Sequence, residues 1–318
     1  MENIAFIRKA MFYFMKKIVT HSKIKKDIPS LDCLASILGI DRVIFNKILR
    51  TTPRLYTQIT LLKKDGSPRP INAPKKNLKS IQRSILDKIF SDIELQPCVY
   101  GLSKNHSIIE NAKYHSKSDY LLNLDIKSFF PNVHFEKVKQ IYRDIGIDEI
   151  SSEMCMLTTL NFELPQGAPS SPFIASLALT NLDYRLANLA ESNHLLYTRY
   201  FDDICFSGSK RIKEIEKSII KIINQEGYQV KKEKRQLFEK GFAKEINGIL
   251  ITDGKLSLKN TGDLFEYLEE LNYGGLTRLK SDNPEKERLS LKGKISFLNQ
   301  VDKILGKKAE IAFNAIRW

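Results

Sequence analysis

Two adjacent aspartates inside the run Tyr197-Thr198-Arg199-Tyr200-Phe201-Asp202-Asp203-Ile204-Cys205-Phe206-Ser207 constrain this chain more than any other feature. The aromatic and β-branched residues on either side favour strands, and the Asp pair falls where the chain must reverse. The segment therefore reads as a β-hairpin with acids at its turn. Neighbouring carboxylates repel, so a fold that keeps them has to supply positive charge, and a divalent cation held by oxygen ligands does so. Alone, the pair would be an ordinary acidic turn. A third carboxylate in matching context changes that reading: Asp125 ends the apolar run Tyr120-Leu121-Leu122-Asn123-Leu124, the pattern of a buried strand that delivers an acid to its exposed end. With this strand beside the hairpin, Asp125, Asp202 and Asp203 meet at one point. Three such carboxylates would hold two Mg2+ ions roughly 4 Å apart, the arrangement for in-line displacement at phosphorus.

The charge of the chain points to a polyanion. Of a net charge of +14, nearly all lies in residues 1–118, which carry 22 Lys and Arg against 9 Asp and Glu. Residues 119–260 balance at 19 against 19, and 261–318 at 10 against 9. So lopsided a distribution favours a partner bound through phosphates, with affinity that falls steeply with salt. At 318 residues, 42% apolar and 28% charged, the chain is long enough for a substantial core and two or three subdomains. Cys33, Cys98, Cys155 and Cys205 are scattered without zinc-like spacing, so reduced thiols and a cytoplasmic location are expected. The apolar stretch from Ile4 to Val19 is broken by Arg8, Lys9, Lys16 and Lys17, which fits an amphipathic helix and neither a membrane span nor a signal peptide.

Periodicity divides the chain further. Residues 1–52 are helical in pattern: Ser30 caps a run with Leu31, Leu34 and Leu38, and Ile44, Ile48 and Leu49 follow after Gly39. Residues 56–74 alternate as two strands with Asp65-Gly66 at their turn. Lys75, Lys76, Lys79 and Arg83 continue the basic surface into a helix that ends near Phe90. Beyond Asp125, helices are expected at Phe135–Ile145, Ser171–Ala190 and Ile212–Gln225, and a strand at Tyr228–Val230. Leu264, Tyr267, Leu268 and Leu271, then Leu289, Leu291, Ile295, Leu298, Val301, Ile304 and Leu305, supply the apolar faces of a small C-terminal helical bundle. The order is that of an α+β fold, helices covering one face of an antiparallel sheet. Neither repeats nor low-complexity tracts are present, and no nuclease, protease or other fused domain is expected after Trp318.

Taken together, Tyr200-Phe201-Asp202-Asp203, the Asp125 strand and Leu164-Pro165-Gln166-Gly167-Ala168-Pro169-Ser170-Ser171-Pro172 resemble the palm motifs of reverse transcriptases in content, order and separation. Within that class the chain most closely resembles bacterial retron reverse transcriptases, because Asn111-Ala112-Lys113-Tyr114-His115 matches their Asn-Ala-x-x-His element. The resemblance implies a right-hand polymerase with N-terminal helices and fingers at 1–118, palm at 119–254 and thumb at 255–318. It implies catalytic Asp125, Asp202 and Asp203, two Mg2+ ions on these acids and the Ile126 backbone carbonyl, and deoxynucleoside triphosphates as substrates. Arg69, with Lys63 and Lys64 unranked beside it, would grip the triphosphate, for which paired guanidinium donors are suited. Gln166 and Gly167 would form the loop that bonds the nucleotide. Phe130, five residues beyond Asp125, would be the steric gate against a 2′-hydroxyl, with Phe129 turned to the core by strand alternation. Lys234 would protonate departing pyrophosphate, and Tyr200 would touch the primer end. Lys75, Lys76, Lys79, Arg83, Asn111, His115 and Lys292 would bind RNA.

By the same resemblance the activity is synthesis of DNA on a dedicated structured noncoding RNA, primed from a 2′-hydroxyl within it. The product is a branched RNA–DNA hybrid, with a separately encoded effector or toxin as partner and bacteriophage defence as the outcome. Three departures stand out: Phe201 replaces the commoner Ala of the Tyr-x-Asp-Asp box, Ile246-Asn247-Gly248 stands where Val-Thr-Gly is frequent, and Lys231 occupies a position often held by Asn. Alternatives are a diversity-generating or group II intron reverse transcriptase, an RNA-binding scaffold that restrains an effector, and a helix-turn-helix DNA-binding protein resting on Ala35–Ile40 alone.

Overall fold

Strand pairing decides where the acids go. The computed structural model describes residues 28–62, 66–103 and 105–318; the expected N-terminal amphipathic helix and Lys63 and Lys64 lie outside them. β1 (Tyr56–Leu62) and β2 (Pro68–Pro74) form the expected antiparallel hairpin, with Leu62 opposite Pro68. A five-stranded sheet is built from β3 (Val99–Tyr100), β4 (Tyr120–Asp125), β5 (Leu196–Tyr200), β6 (Asp203–Gly208) and β7 (Gln236–Phe238), in the order β3-β5-β6-β4-β7. β3 runs parallel to β5, and the remaining pairs are antiparallel. β8 (Lys244–Ile246), β9 (Ile249–Thr252) and β10 (Lys255–Leu258) make a separate antiparallel sheet.

Alternation along β4, β5 and β6 gives the large sheet two distinct faces. Leu122, Leu124, Tyr197, Ile204 and Phe206 join the main core, which also takes in the helices Leu31–Leu38, Lys76–Lys88, Thr180–Ser192 and Arg211–Gln225. Leu121 and Cys205 point the other way, into a smaller core shared with Ile109, Ala112, Ile246, Ile249 and Ile251. The helix Ile108–His115 and the β8–β9 hairpin thus cover part of the second face, where the sequence had suggested helices on one face only. A third core, around Leu268, Leu271, Leu291, Leu298 and Phe313, holds the C-terminal helices Thr261–Gly274, Pro284–Val301 and Lys303–Asn314 together.

Several local expectations are corrected. The helix expected over Ser171–Ala190 is two, Ser171–Ala178 and Thr180–Ser192, because the Thr180 hydroxyl takes the Leu177 carbonyl and breaks the ladder at Leu179. Tyr228–Val230 is not a strand: Gly227 at φ 85° and the 3-10 turn Lys232–Lys234 leave room for only an isolated bridge between Val230 and Ile126. Leu289 and Ile304, expected in apolar faces of the bundle, are 60% and 72% exposed. Residues 35–40 end the helix Leu31–Leu38, capped by Gly39 in the left-handed region, with Leu34, Ala35 and Leu38 buried in the main core, and a second helix, Arg42–Thr51, follows the turn. Among the described residues, no helix is long and apolar enough to cross a membrane.

On the main-core face lies a buried ion pair. Arg199 donates Nε to Asp183 Oδ1 at 2.7 Å and Nη2 to Asp183 Oδ2 at 2.6 Å, both side chains being out of contact with water. Tyr197 adds its hydroxyl to Asp183 at 2.6 Å. Removing one partner leaves an unpaired buried charge, so Arg199→Met is expected to cost about 3–5 kcal/mol. Urea unfolding of the variant measures this; a loss below about 1 kcal/mol would show that the pair is not needed for folding.

Candidate active site

The register of two strand pairs assembles the site. Asp125, at the end of β4, lies opposite Asp203 at the start of β6, and Tyr200 pairs with Asp203 across the β5–β6 turn. Phe201 and Asp202 form that two-residue turn, so all three acids share one end of the sheet. The backbone is tied down on both sides. Ile126 donates its N–H to the Asp202 carbonyl at 3.0 Å, and the buried Arg199 guanidinium donates to the Phe201 carbonyl at 2.8 Å. Phe201 holds φ at 54°, in the left-handed region a turn this tight requires.

The acids act on one another. Burial, then Asp202 and Asp125, push the Asp203 carboxyl up to about 7. Burial and Asp125 raise Asp202 as well, against the opposing charges of Lys234 and Arg69. The Lys234 ammonium bonds Asp125 Oδ2, which raises the lysine despite the burial that works against its charge. Asn247 donates Nδ2 to Asp203 Oδ2 at 2.8 Å. A cavity of about 270 Å3 opens beside the acids, lined by Asp125, Asp203, Lys234, Glu245 and Asn247. Among the described residues no group of three or more His, Cys, Asp or Glu side chains is arranged, as it stands, to hold a metal ion. Asp125 faces Lys234 and Asp203 faces Asn247. The donor set nevertheless suits a hard divalent cation, being all-oxygen, with burial and the neighbouring acids both pushing Asp203 up in the absence of added positive charge.

Other expected site residues gather round this edge to differing degrees. Arg69, exposed on β2 opposite Leu61, is near enough for its charge to act on Asp202. The Gln166 carbonyl accepts from the Asn72 N–H at 2.7 Å, which seats the Gln166-Gly167 loop on β2. Gly167 has φ 119°, and a Cβ there would lie 2.6 Å from Ile71 Cγ2, so glycine is required. Tyr200 is half-buried, edge-on to Phe201 at 4.8 Å. Phe130 is half-buried against Phe129, 5.4 Å between centroids. Strand alternation is not the reason for their placement, since β4 ends at Asp125 and a turn with Ser128 at φ 49° follows. Ile126 is buried and bridges to Val230. Lys75, Lys76, Lys79, Arg83 and Lys292 are exposed; Lys76, Lys79 and Arg83 share the outer face of the helix whose inner face is Leu78, Ile81 and Ile85.

Asn111 and His115 require correction. Read as RNA contacts, they are 1% and 0% exposed and cannot reach a nucleic acid. Three residues of the site were missed. Asn247 had a signal in the Asn-Gly pair of a two-residue hairpin. Arg199 sits in an alternating strand at a core-facing position, which calls for a buried acid partner. Gly101 follows β3 at φ 94°, where a Cβ would lie 2.7 Å from the Tyr200 ring.

The carboxylates on adjacent strands thus share one sheet edge with the Arg69 hairpin and the Gln166-Gly167 loop. The family model for reverse transcriptase (RNA-dependent DNA polymerase) matches residues 61–273, about two thirds of the chain, and the chain belongs to that family. Similar curated proteins are retron reverse transcriptases. That of retron Ec86 from Escherichia coli is 32% identical over 193 residues, covering 60% of this chain and 60% of the relative. That of retron Mx162 from Myxococcus xanthus is 27% identical over 320 residues, covering 88% and 66%. That of retron Se72 from Salmonella heidelberg is 32% identical over 201 residues, covering 62% and 53%. The chain thus spans between about half and two thirds of the length of these relatives.

The raised Asp203 carboxyl has a consequence for stability. Unfolded Asp titrates near 4, so the folded state holds an extra proton between about pH 4 and about pH 7. Stability from this group is present below that window and is lost as pH rises through it. In EDTA, Asp203→Asn is expected to melt a few degrees above wild type at about pH 8, the gap closing below about pH 4. Thermal melts across that range check it; a gap independent of pH would count against the mutual repulsion of the acids.

Proposed function

We propose that this chain is an RNA-directed DNA polymerase, extending a primer hydroxyl along an RNA template with deoxynucleoside triphosphates. The convergence of Asp125, Asp202 and Asp203 at one sheet edge carries this reading. When bound at these carboxylates, two Mg2+ ions supply the charge that steadies the attacking and leaving oxygens. The chain's own groups do the rest. Arg69 grips the triphosphate, the Gln166-Gly167 loop orients the nucleotide, and Phe130 screens the sugar. Lys234, with its ammonium already at Asp125, is placed to give a proton to departing pyrophosphate, and Tyr200 lies at the primer end. The exposed row Lys75, Lys76, Lys79 and Arg83 and the exposed Lys292 hold RNA phosphates. In this reading residues 119–254 are the palm, 1–118 the N-terminal helices and fingers, and 255–318 the thumb.

The likeness to retron enzymes supports a finer version. The template is a cognate structured noncoding RNA, priming comes from one of its 2′-hydroxyls, and the RNA–DNA hybrid acts in the cytoplasm with a separate effector in defence against bacteriophage. Sequencing the nucleic acid that co-purifies with the protein, after RNase and DNase treatment, tests this version. DNA joined covalently to one RNA species is the expected result.

Asp202→Ala and Asp203→Ala are each expected to lower primer extension by on the order of 10² to 10⁴ or more, because charge stabilisation at phosphorus dominates such reactions. RNA affinity, measured by filter binding, should stay within about twofold and fall steeply with salt for wild type and variants alike. Loss of RNA binding together with synthesis would assign the acids a structural role instead.

A further inference from the structure

Burial removes Asn111 and His115 from any contact with RNA and leaves two polar side chains, one helical turn apart, with no part in the reaction. Their hydrogen bonds lead to the acids. His115 Nε2 lies 2.7 Å from Thr198 Oγ1, and the Thr198 hydroxyl donates to Asn111 Oδ1 at 2.7 Å. Asn111 Nδ2 donates to Asn247 Oδ1 at 3.2 Å, and Asn247 Nδ2 donates to Asp203 Oδ2 at 2.8 Å. Behind the histidine, Nδ1 lies 2.6 Å from Ser207 Oγ. Thr198, Asp203 and Ser207 share one face of the sheet by alternation, and the helix Ile108–His115 lies over that face.

With Asp203 ionised, as cation binding requires, the chain of bonds has only one consistent direction. A carboxylate accepts and does not donate, so Asn247 must turn its NH2 to Asp203 and its carbonyl oxygen to Asn111. Asn111 then gives its NH2 to Asn247 and accepts the Thr198 proton. The Thr198 oxygen must accept from His115, which assigns the neutral Nε2–H tautomer and leaves Nδ1 to accept from Ser207. Burial, which pushes His115 down to about 3, keeps the ring neutral as this requires. Asn247 is itself fixed. It and Gly248 form the two-residue turn between Ile246 and Ile249, at φ 49° and 86°, where Asn and Gly are the favoured pair.

We propose that Asn247, Asn111, Thr198 and His115 are positioning residues, a buried relay that fixes the Asp203 carboxylate in the orientation that binds a divalent cation. The inference deepens the polymerase reading and rests on it. Outer-shell partners of this kind govern metal affinity, and their loss weakens it by about 10–100-fold.

Asn247→Gly tests the relay, since glycine accepts the left-handed turn while deleting the amide. The probe is Mn2+, titrated by electron paramagnetic resonance into protein bound to an RNA template, a dideoxy-terminated primer and the matching deoxynucleotide. Roughly 10-fold weaker Mn2+ binding and a lower kcat are expected, with RNA affinity and the nucleotide KM within about twofold. Thr198→Val, which cuts the relay three bonds from Asp203, should weaken Mn2+ binding in the same direction, and Thr198→Ser should restore it. Mn2+ affinity equal to wild type in Asn247→Gly overturns the relay, as does a Thr198→Val protein that melts earlier but binds Mn2+ normally. A wild-type protein that never extends a primer overturns the polymerase reading instead, and is distinguishable because it is seen before any variant is made.

Discussion

Mutual repulsion among Asp125, Asp202 and Asp203 is the constraint round which this molecule is arranged. Strand register forces the acids together, and the fold answers with groups from five separate segments. Lys234 takes Asp125, Asn247 takes Asp203, Ile126 and Arg199 hold the two carbonyls of the turn, and the charge of Arg69 reaches Asp202 from the β1–β2 hairpin. These groups do not offset burial and like charge, which together push Asp203 up to about 7. A chain selected for stability alone would have lost one of the three acids. What remains uncompensated is an affinity for added positive charge, which is why the same feature that weakens the fold near neutral pH supports the proposed chemistry.

Arg199 connects this site to the core. A buried ion pair is weak evidence for stability, because dehydrating two charges offsets most of their attraction. Its geometry is more informative. Two of its nitrogens are committed to Asp183, on the helix Thr180–Ser192, while Nη1 reaches forward to the Phe201 carbonyl and to Ser176 Oγ at 3.3 Å. The acid-bearing turn is thereby fixed to two helices through one rigid planar group. A lysine would supply the charge but not the fork. The break at Leu179 separates the helices that carry Ser176 and Asp183, so the interruption that the sequence reading missed contributes to the site.

The acids themselves were legible in the sequence because local signals agreed: an apolar strand ending in Asp125, aromatic strands flanking Asp202 and Asp203, and a glycine loop before a proline-started helix. The β1–β2 hairpin and the C-terminal bundle were legible for the same reason. What failed was whatever depended on distant partners. A motif containing histidine and asparagine was assigned to RNA on the family resemblance, yet a sheet face with Thr198 and Ser207 satisfies both in the interior. Tyr228–Val230 has the composition of a strand, but its neighbours turn away before a ladder can form. Leu289 and Ile304 fitted helical faces whose orientation only the packing of three helices decides.

Phe201 shows how a local rule is broken and compensated. A bulky residue at φ 54° is strained by roughly 1–2 kcal/mol, and the Ala common at this place in related enzymes would have less side chain to accommodate. Three observations account for the phenylalanine. Its carbonyl accepts from Arg199, which selects this turn conformation. Its ring meets Tyr200 edge-on at 4.8 Å, a favourable aromatic geometry. Gly101, just after the strand alongside, lacks the Cβ that would otherwise stand 2.7 Å from the Tyr200 ring and 3.2 Å from the Phe201 ring. The pair of rings and the glycine are therefore coupled: a Cβ at 101 would crowd both rings unless they shifted. The room for a ring next to the paired aspartates is in this way left by a glycine about 100 positions earlier, through space that the parallel β3–β5 pairing brings together.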